Sequence, residues 1–287
     1  MRTLADCNPL AAALCLLAPA GVAMFSMDPL LLGLALVGSI VTFLLVGGKD
    51  GHGWTALLFI GVALLNPLTY HNGATVLFVM NNNPITLEAA LYGLAAAGMV
   101  VAVMYFFRSF SLIMTSDKLM YLLGGLSPRL ALLLSMTLRY VPLFGQQAKK
   151  IQQSQRALGL YKDDNIVDSF RGGLRVFSVM VTWTLENGII TADSMTARGY
   201  GLGRRTHFSI FRFTRQDVCT ISAVLMLTAL TLWGLHGHDV VYYPAIRFAP
   251  LTAQAVTGYA AYGLLAFLPA ILIGKEALLW HCFKSKT

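Results

Sequence analysis

The chain has 287 residues, 56% of them hydrophobic and only 12% charged, with a mean hydropathy of +0.66. The charged share is about half that of a soluble domain; this excludes an ordinary water-soluble globule and leaves room for about five to seven membrane spans plus an aqueous region. The net charge of +8 does not point to nucleic acid: 15 of the 21 Lys and Arg lie between Arg108 and Arg215, against six Asp or Glu in that interval, and no recognition module accompanies them. Basic residues gathered beside spans mark the cytoplasmic side of a membrane.

Met1 to Ala23 opens like a secretory leader, with Arg2, an apolar run and then Ala20-Gly21-Val22-Ala23. Asp6 stands where a leader is positive, and a second apolar run follows at once, so the segment reads as a retained span. Two spans are predicted as a hairpin, Pro9 to Phe25 and Pro29 to Val46, turning at Ser26-Met27-Asp28. Residues 47–53 (GGKDGHG) are a loop. Trp54 to Leu65 begins a third, shorter span that Asn66-Pro67 breaks, because proline removes a backbone donor and disfavours helix in the residue before it.

Thr75 to Met80 is apolar but too short to cross, and Asn81-Asn82-Asn83-Pro84 is a turn signal. Ile85 to Phe107 is a strong span ending at Arg108. Glu88 lies in its first turn, and two readings stay open: a carboxylate suited to the helix dipole, or an intramembrane contact to an ion or substrate.

From Ser109 the character changes. Residues 111–128 (SLIMTSDKLMYLLGGLSP) read as a short amphipathic helix closed by Gly124-Gly125. Pro128 opens another helix at its favoured N-terminal position, running to about Leu158 with a bend at Pro142. Its first half is apolar and its second half polar and basic, so it starts at the membrane and ends in water. Tyr161 to Asn165 forms a charged turn between this helix and the long one that follows, so the two run antiparallel or cross.

The stretch from Asp164 to Gly203 organises the chain. Ile166, Phe170, Leu174, Phe177, Val181, Leu185 and Ile189 recur at steps of three and four, which places them on one helix face. Gly199 is a natural stop, since the residue past the last turn takes a left-handed backbone that glycine adopts without strain. Arg198 then sits on the last turn of a rod of about 50 Å, a shape suited to insertion into a pocket on another protein.

Arg204 to Arg215 is basic and aromatic, with Phe208, Phe211 and Phe213 among Arg204, Arg205, Arg212 and Arg215; it suits an anionic headgroup layer. Spans are predicted at Val218 to Leu235 and Leu251 to Ile273, joined by an outer loop with one basic residue, Arg247. Six crossings put both termini and the 108–215 block on one side. The predicted architecture is an all-α integral membrane protein of about six transmembrane helices plus long cytoplasmic helices. Its divisions are 1–108 (N-terminal spans), 109–203 (cytoplasmic helices) and 204–287 (interfacial segment and C-terminal spans).

Little points to catalysis. There is no GxxxxGK[ST] phosphate loop, no GxSxG, no HExxH and no paired carboxylates within a span. Cys7, Cys15, Cys219 and Cys282 form no CxxC and read as buried inert thiols. His236 and His238 flank Gly237, without the carboxylate cluster a metal site would add. No cofactor is expected. What remains is a membrane anchor joined to basic helices, the design of a mechanical adaptor.

Three stretches carry a resemblance to a known family. They are residues 66–73 (NPLTYHNG) with 84–93 (PITLEAALYG), residues 116–142 (SDKLMYLLGGLSP…LSMTLRYVP), and residues 192–201 (ADSMTARGYG). In this order and spacing the chain resembles the transmembrane T component of energy-coupling factor (ECF) transporters, a branch of the ABC importers. The resemblance implies an L-shaped molecule with a membrane bundle and coupling helices near the inner surface. Two of those helices would end in Ala-Arg-Gly motifs, each arginine docking in a groove on one of two ABC ATPase subunits. A small membrane S component would bind a vitamin or transition-metal ion. ATP would be bound and hydrolysed by the partners, so the chain itself is expected to be no enzyme. The setting implied is a bacterial cell membrane.

The second motif is intact as Ala197-Arg198-Gly199. The first departs: by alignment it is Ala157-Leu158-Gly159, with leucine where arginine is expected. Arg156 lies two residues earlier, about 200° around the helix. Two readings stay open: Arg156 reaches the groove through its long side chain, or Leu158 fills an apolar pocket. Outside the resemblance, a scaffold or sensor binding a different soluble partner, and an interfacial enzyme, are the competing classes.

Overall fold

A computed structural model describes residues 7–48, 51–70, 73–80, 83–159, 166–203, 211, 213–238 and 240–284. Among them the chain forms nine helices and one hairpin, and it divides into two compact units, residues 1–119 with 211–287 and residues 120–210.

The first unit is a bundle of six apolar helices. Helices α1 (Pro9–Met24) and α2 (Pro29–Leu45) each start with proline at the first helical position, capped by Asn8 and Asp28, whose carboxyl or amide oxygens accept from Leu10 and Leu30. Both devices are expected where orphan N–H groups must be satisfied. Helix α3 (His52–Thr69) follows, then strands β1 (Val76–Met80) and β2 (Asn83–Thr86), paired antiparallel. Helix α4 (Leu87–Ile113) packs against α1, α2 and α3. Helices α8 (Arg215–Leu235) and α9 (Ala253–Lys284) pack on each other and on α1, and α9 also on α2. Four of the six (α3, α4, α8 and the 253–275 part of α9) are long and apolar enough to cross a membrane; α1 and α2 have 16 and 17 residues. The molecule is therefore an all-α multi-pass membrane protein.

Leu31, Ala35, Phe106, Tyr262, Leu265 and Ala266 form the centre of the bundle. Small residues let backbones approach, as they do between helices in lipid where burial of apolar surface gives little drive. A Cβ on Gly234 would meet Gly258 Cα at 2.5 Å, which fixes glycine at the α8–α9 crossing. Large apolar side chains such as Leu57, Ile60, Leu64, Met226 and Trp233 stay exposed, a surface that hydrocarbon rather than water would cover.

Several boundaries differ from the sequence expectation. Asn66-Pro67 does not break the third span: α3 continues through both to Thr69, and Tyr70 N–H closes the last turn on Asn66 at 2.8 Å. The Ala63 carbonyl that Pro67 cannot satisfy lies beside Gly93 of α4, where a Cβ would meet it at 2.6 Å. The apolar run 75–80 is the first strand of a hairpin, and the strong span starts at Leu87 because Ile85 belongs to β2. That helix also continues past Arg108 to Ile113. Gly124-Gly125 lie within helix α5 (Ser116–Leu126) rather than closing it. Cys219 is exposed on α8, unlike buried Cys15 and half-buried Cys7.

The second unit holds helices α6 (Pro128–Ala157) and α7 (Ile166–Ala197), of 30 and 32 residues, and α6 continues through Pro142. The Tyr140 and Thr191 hydroxyls are bonded at 2.9 Å, and the Phe144 and Trp183 rings meet edge-on at 5.9 Å. One turn forward on α6 corresponds to two turns back on α7, so the helices cross with opposed chain directions. The half-buried row of α7 is Val176, Met180, Trp183, Asn187 and Thr191. The seven-residue stripe from Ile166 to Ile189 is exposed throughout, from 42% at Val181 to 90% at Ile166. The stripe is real as a helix face, but it is not the face this chain covers. The turn at 161–165 and most of the basic segment 204–215, including Arg204, Arg205, Phe208 and Arg212, lie outside the described residues.

Candidate docking ends of the two long helices

The end of α7 is built by its last six residues and the turn after them. Arg198 N–H donates to Ser194 and Met195 carbonyls at 3.2 and 3.1 Å, and Gly199 N–H to Thr196 at 3.0 Å. Tyr200 N–H reaches back to Met195 at 3.0 Å. This is the paired closure of a helix end around a left-handed residue, and Gly199 supplies it with φ +81°. Arg198 thereby follows directly on Ala197, the last residue of the helix, and is fixed by its own backbone bonds. Its exposed side chain stands beside the negative end of the helix dipole. Ala197 is also exposed, so nothing bulky from the preceding position shields the guanidinium.

As far as Gly159, the end of α6 closes in the same way. Leu158 N–H donates to Ser154 at 3.1 Å, Gly159 N–H to Arg156 at 3.0 Å, and Gly159 takes φ +70°. Leu158 therefore occupies on α6 the position that Arg198 occupies on α7. It is 71% exposed, a large apolar side chain held out at a polar helix end. Ala157 is exposed as well. Arg156 is two positions back, where its carbonyl serves the turn, and its side chain leaves the helix about 200° away from that of Leu158. The structure thus aligns Ala157-Leu158-Gly159 with Ala197-Arg198-Gly199 position for position and leaves Arg156 out of that register.

The two ends do not come together. Leu158 lies about 27 Å along α6 from the Tyr140 crossing, and Arg198 about 10 Å along α7 from Thr191, in opposed directions. The two ends are therefore separate surfaces.

A second polar group was not foreseen. At the hairpin end of the bundle, the Glu88 carboxylate accepts the Thr75 N–H at 3.2 Å and the Thr75 hydroxyl. Asn66 Nδ2 donates to the Ala89 carbonyl at 2.9 Å and to Tyr243 Oη at 3.3 Å. Tyr70 and Tyr92 pack edgewise or tilted against Tyr243, and Tyr92 also meets Tyr242 edge-on. Tyr242 donates to the Met27 carbonyl at 2.7 Å, and burial, then the Asp28 charge, pushes its hydroxyl up to about 12, keeping it a donor. Glu88 is thus tied to the hairpin, in addition to its first-turn place on α4. The signal available in the sequence was Asn66 before Pro67; Tyr242 and Tyr243 lie about 150 residues beyond Tyr92, and only the fold brings them near. Among the described residues no three His, Cys, Asp or Glu gather as metal ligands, and His238 packs against the Tyr259 ring.

Comparison with known proteins bears on both units. Residues 8–210 match the family model CbiQ, described as a cobalt transport protein. The energy-coupling factor transporter transmembrane protein EcfT of Lacticaseibacillus paracasei is 33% identical over 105 residues, which is 36% of this chain and 40% of that protein. A like-named protein of Listeria monocytogenes is 29% identical over 102 residues, 35% of this chain and 38% of its own length. The corresponding protein of Lactobacillus helveticus is 23% identical over 193 residues, 60% of this chain and 70% of its own. The matched part of the chain thus spans about two fifths of the first two relatives.

Proposed function

The chain belongs to the CbiQ family, the transmembrane T components of energy-coupling factor transporters, and from that premise we propose that it couples two cytoplasmic ATPase subunits to a small membrane S component that binds a vitamin or transition-metal ion. The single observation that carries this reading is the exposed Arg198, held at a rigid helix end by the closure around Gly199. An arginine so fixed offers its donors in a planar fork that matches a carboxylate, and little conformational freedom is lost when it inserts. The uncovered stripe from Ile166 to Ile189 supports the other half of the reading, as the surface offered to the membrane partner. Motion of the ATPases on nucleotide binding would move α6 and α7 through their ends, and the bonded crossing at Tyr140 and Thr191 would carry it between them. ATP is bound and hydrolysed by the partners, with no cofactor held here. Both termini and the basic 108–215 block lie on the cytoplasmic side.

The test is recovery of the tagged chain from its native membranes in mild detergent, with identification of what stays bound. Two P-loop ATPases and one small, very hydrophobic protein are expected. Recovery without any ATPase would overturn the coupling reading and favour a scaffold for another cytoplasmic partner.

A further inference from the structure

We propose that the cleft between α2, α3 and α4 at the hairpin end of the bundle is a site for one acyl chain of a membrane lipid. The inference does not depend on the coupling reading above.

The cleft follows from how the helices are packed. Helix α4 lies against both α2 and α3. Phe43 of α2, Phe59 of α3, and Val101 and Tyr105 of α4 close together at one level. Toward the hairpin a cavity of about 350 Å³ opens between the three helices, walled by Leu32 and Leu36, Phe59, and Leu91 and Leu94. Tyr242, Ile246 and Phe248 of the α8–α9 connection complete the lining, held there by the bond from Tyr242 to the Met27 carbonyl and its ring contact with Tyr92. The lining runs from Pro29 to Leu36 and from Leu91 to Gly98, about 10 Å of each helix, well inside a hydrocarbon core of about 30 Å.

Three observations name the occupant. The first is the chemistry of the walls. Among the described lining residues the one polar side chain is Tyr242, and its hydroxyl is committed to the Met27 carbonyl at 2.7 Å. A site for a water-borne ligand carries a few convergent polar groups that fix its orientation; these walls suit a chain made of carbon. The second is two glycines on the wall, Gly33 of α2 and Gly98 of α4. Glycine inside a helix is destabilising relative to alanine. At Gly93 and Gly234 the protein requires it, since a Cβ would strike the Ala63 carbonyl or Gly258. At Gly33 a Cβ would meet nothing within 4 Å, and at Gly98 only Leu36 Cδ1 at 3.9 Å. Gly61 has open space as well, but on an exposed face of α3; the space beside Gly33 and Gly98 is the cavity, and their missing side chains keep it wide. The third is size. A helix with its side chains is about 10 Å across, so a 10 Å length of one fills roughly 800 Å³, more than twice the cavity. A partner helix is too thick, whereas a single hydrocarbon chain is slender enough. Exposed Leu91, Leu94 and Phe248 make the mouth apolar. Within a bilayer the drive is packing rather than escape from water: a chain seated here supplies dispersion contacts to walls that otherwise lack them.

The experiment uses the full chain, with the proteins that co-purify, in vesicles of phosphatidylethanolamine and phosphatidylglycerol. A trace of the phosphatidylethanolamine carries a diazirine in its palmitoyl chain, and adducts are mapped by mass spectrometry after illumination. Adducts at Leu32, Leu36 and Phe59 are expected to exceed those at exposed Leu57 and Leu64 on the order of tenfold, the contrast between a held chain and passing lipid. Gly33→Leu and Gly98→Leu put a side chain into the cavity on ordinary helical backbone, and each is expected to remove the excess, with Gly61→Leu unchanged. Added phosphatidylethanolamine is expected to raise the unfolding temperature of the wild type in detergent and not that of the two filled variants. Even labelling of the wild type would overturn the site whether or not a leucine variant folds. So would an excess that survives in both filled variants, or one that emerges only after co-purifying proteins are stripped, which would mean that a partner's side chain fills the cleft. None of these outcomes bears on the coupling reading.

Discussion

The hydroxyls of Tyr140 and Thr191 are bonded at 2.9 Å, joining the middle of α6 to the last third of α7. Thr191 also donates to the Asn187 carbonyl at 2.7 Å, so its hydroxyl is oriented by its own helix before it meets Tyr140. If this bond carries motion between the helices, Tyr140→Phe and Thr191→Val are expected to be non-additive, with a coupling of about 0.5–1.5 kcal/mol in a double-mutant cycle read by thermal unfolding. The stacking of Tyr140 on Phe144 is kept by the phenylalanine. Additive effects would mean that the hydroxyls meet without contributing.

Gly93 sits against the Ala63 carbonyl that Pro67 leaves without an intrahelical donor. Gly93→Ala places a methyl 2.6 Å from that oxygen and is expected to destabilise the α3–α4 contact by about 1–3 kcal/mol. Gly61→Ala is the control, because nothing lies within 4 Å of its Cβ position, and it is expected to be neutral or mildly stabilising. Unfolding in detergent monitored by intrinsic fluorescence compares the two. Equal shifts would sink the close-approach explanation.

Asp217 is buried and ties the start of α8 to the start of α1. Its carboxylate accepts Asn8 N–H at 3.1 Å, Thr214 N–H at 2.9 Å and the Thr214 hydroxyl at 2.7 Å. Asp217→Ala strands buried donors, each costing about 1–3 kcal/mol. A marked loss of thermal stability is expected, with Asp193→Ala, at an exposed position, nearly silent. A stability equal to wild type would show that water or other groups satisfy those donors.

Arg198→Ala is expected to weaken ATPase association by about 2–5 kcal/mol, as truncation of a buried interfacial arginine does. Arg205→Ala, in the segment read as a lipid contact, is expected to have little effect. Gly199→Ala keeps the guanidinium but strains a backbone at φ +81° by about 1–2 kcal/mol, so it is expected to weaken docking through misdirection alone. Surface plasmon resonance of reconstituted chain against the purified ATPases reads all three. Equal losses for Arg198→Ala and Arg205→Ala would remove the special role of Arg198.

Most of the helices were legible because their signals are local. Pro29 after Asp28, Pro128 after Ser127 and Gly199 after Arg198 each mark a helix end through the backbone groups of one turn. The helix-to-hairpin boundary at 66–87 was not legible. Proline there is tolerated by contacts from α4, and the strand that absorbs Ile85 depends on a pairing partner. The two helix ends were half legible. Ala197-Arg198-Gly199 could be read directly as a helix end, whereas the matching place of Leu158 on α6 needed the bond from Gly159 to Arg156, which fixes the register of the turn.

The sequence by itself determined that this protein lives in a membrane, that it has six apolar helices and two long ones besides, the first of them basic, and that Arg198 stands at a helix end. These follow from hydropathy, charge placement and capping, which act over a turn or a span. The tertiary structure alone decided which face of α7 is covered. The seven-residue stripe had the stronger apolar signal, yet Val176, Met180, Trp183, Asn187 and Thr191 are the half-buried row, Trp183 and Thr191 of it meeting Phe144 and Tyr140 of α6. Periodicity shows that a helix has an apolar face. It does not say whether that face is meant for its own chain, for lipid or for a partner, because the free energy of burial is the same whichever surface removes it from water.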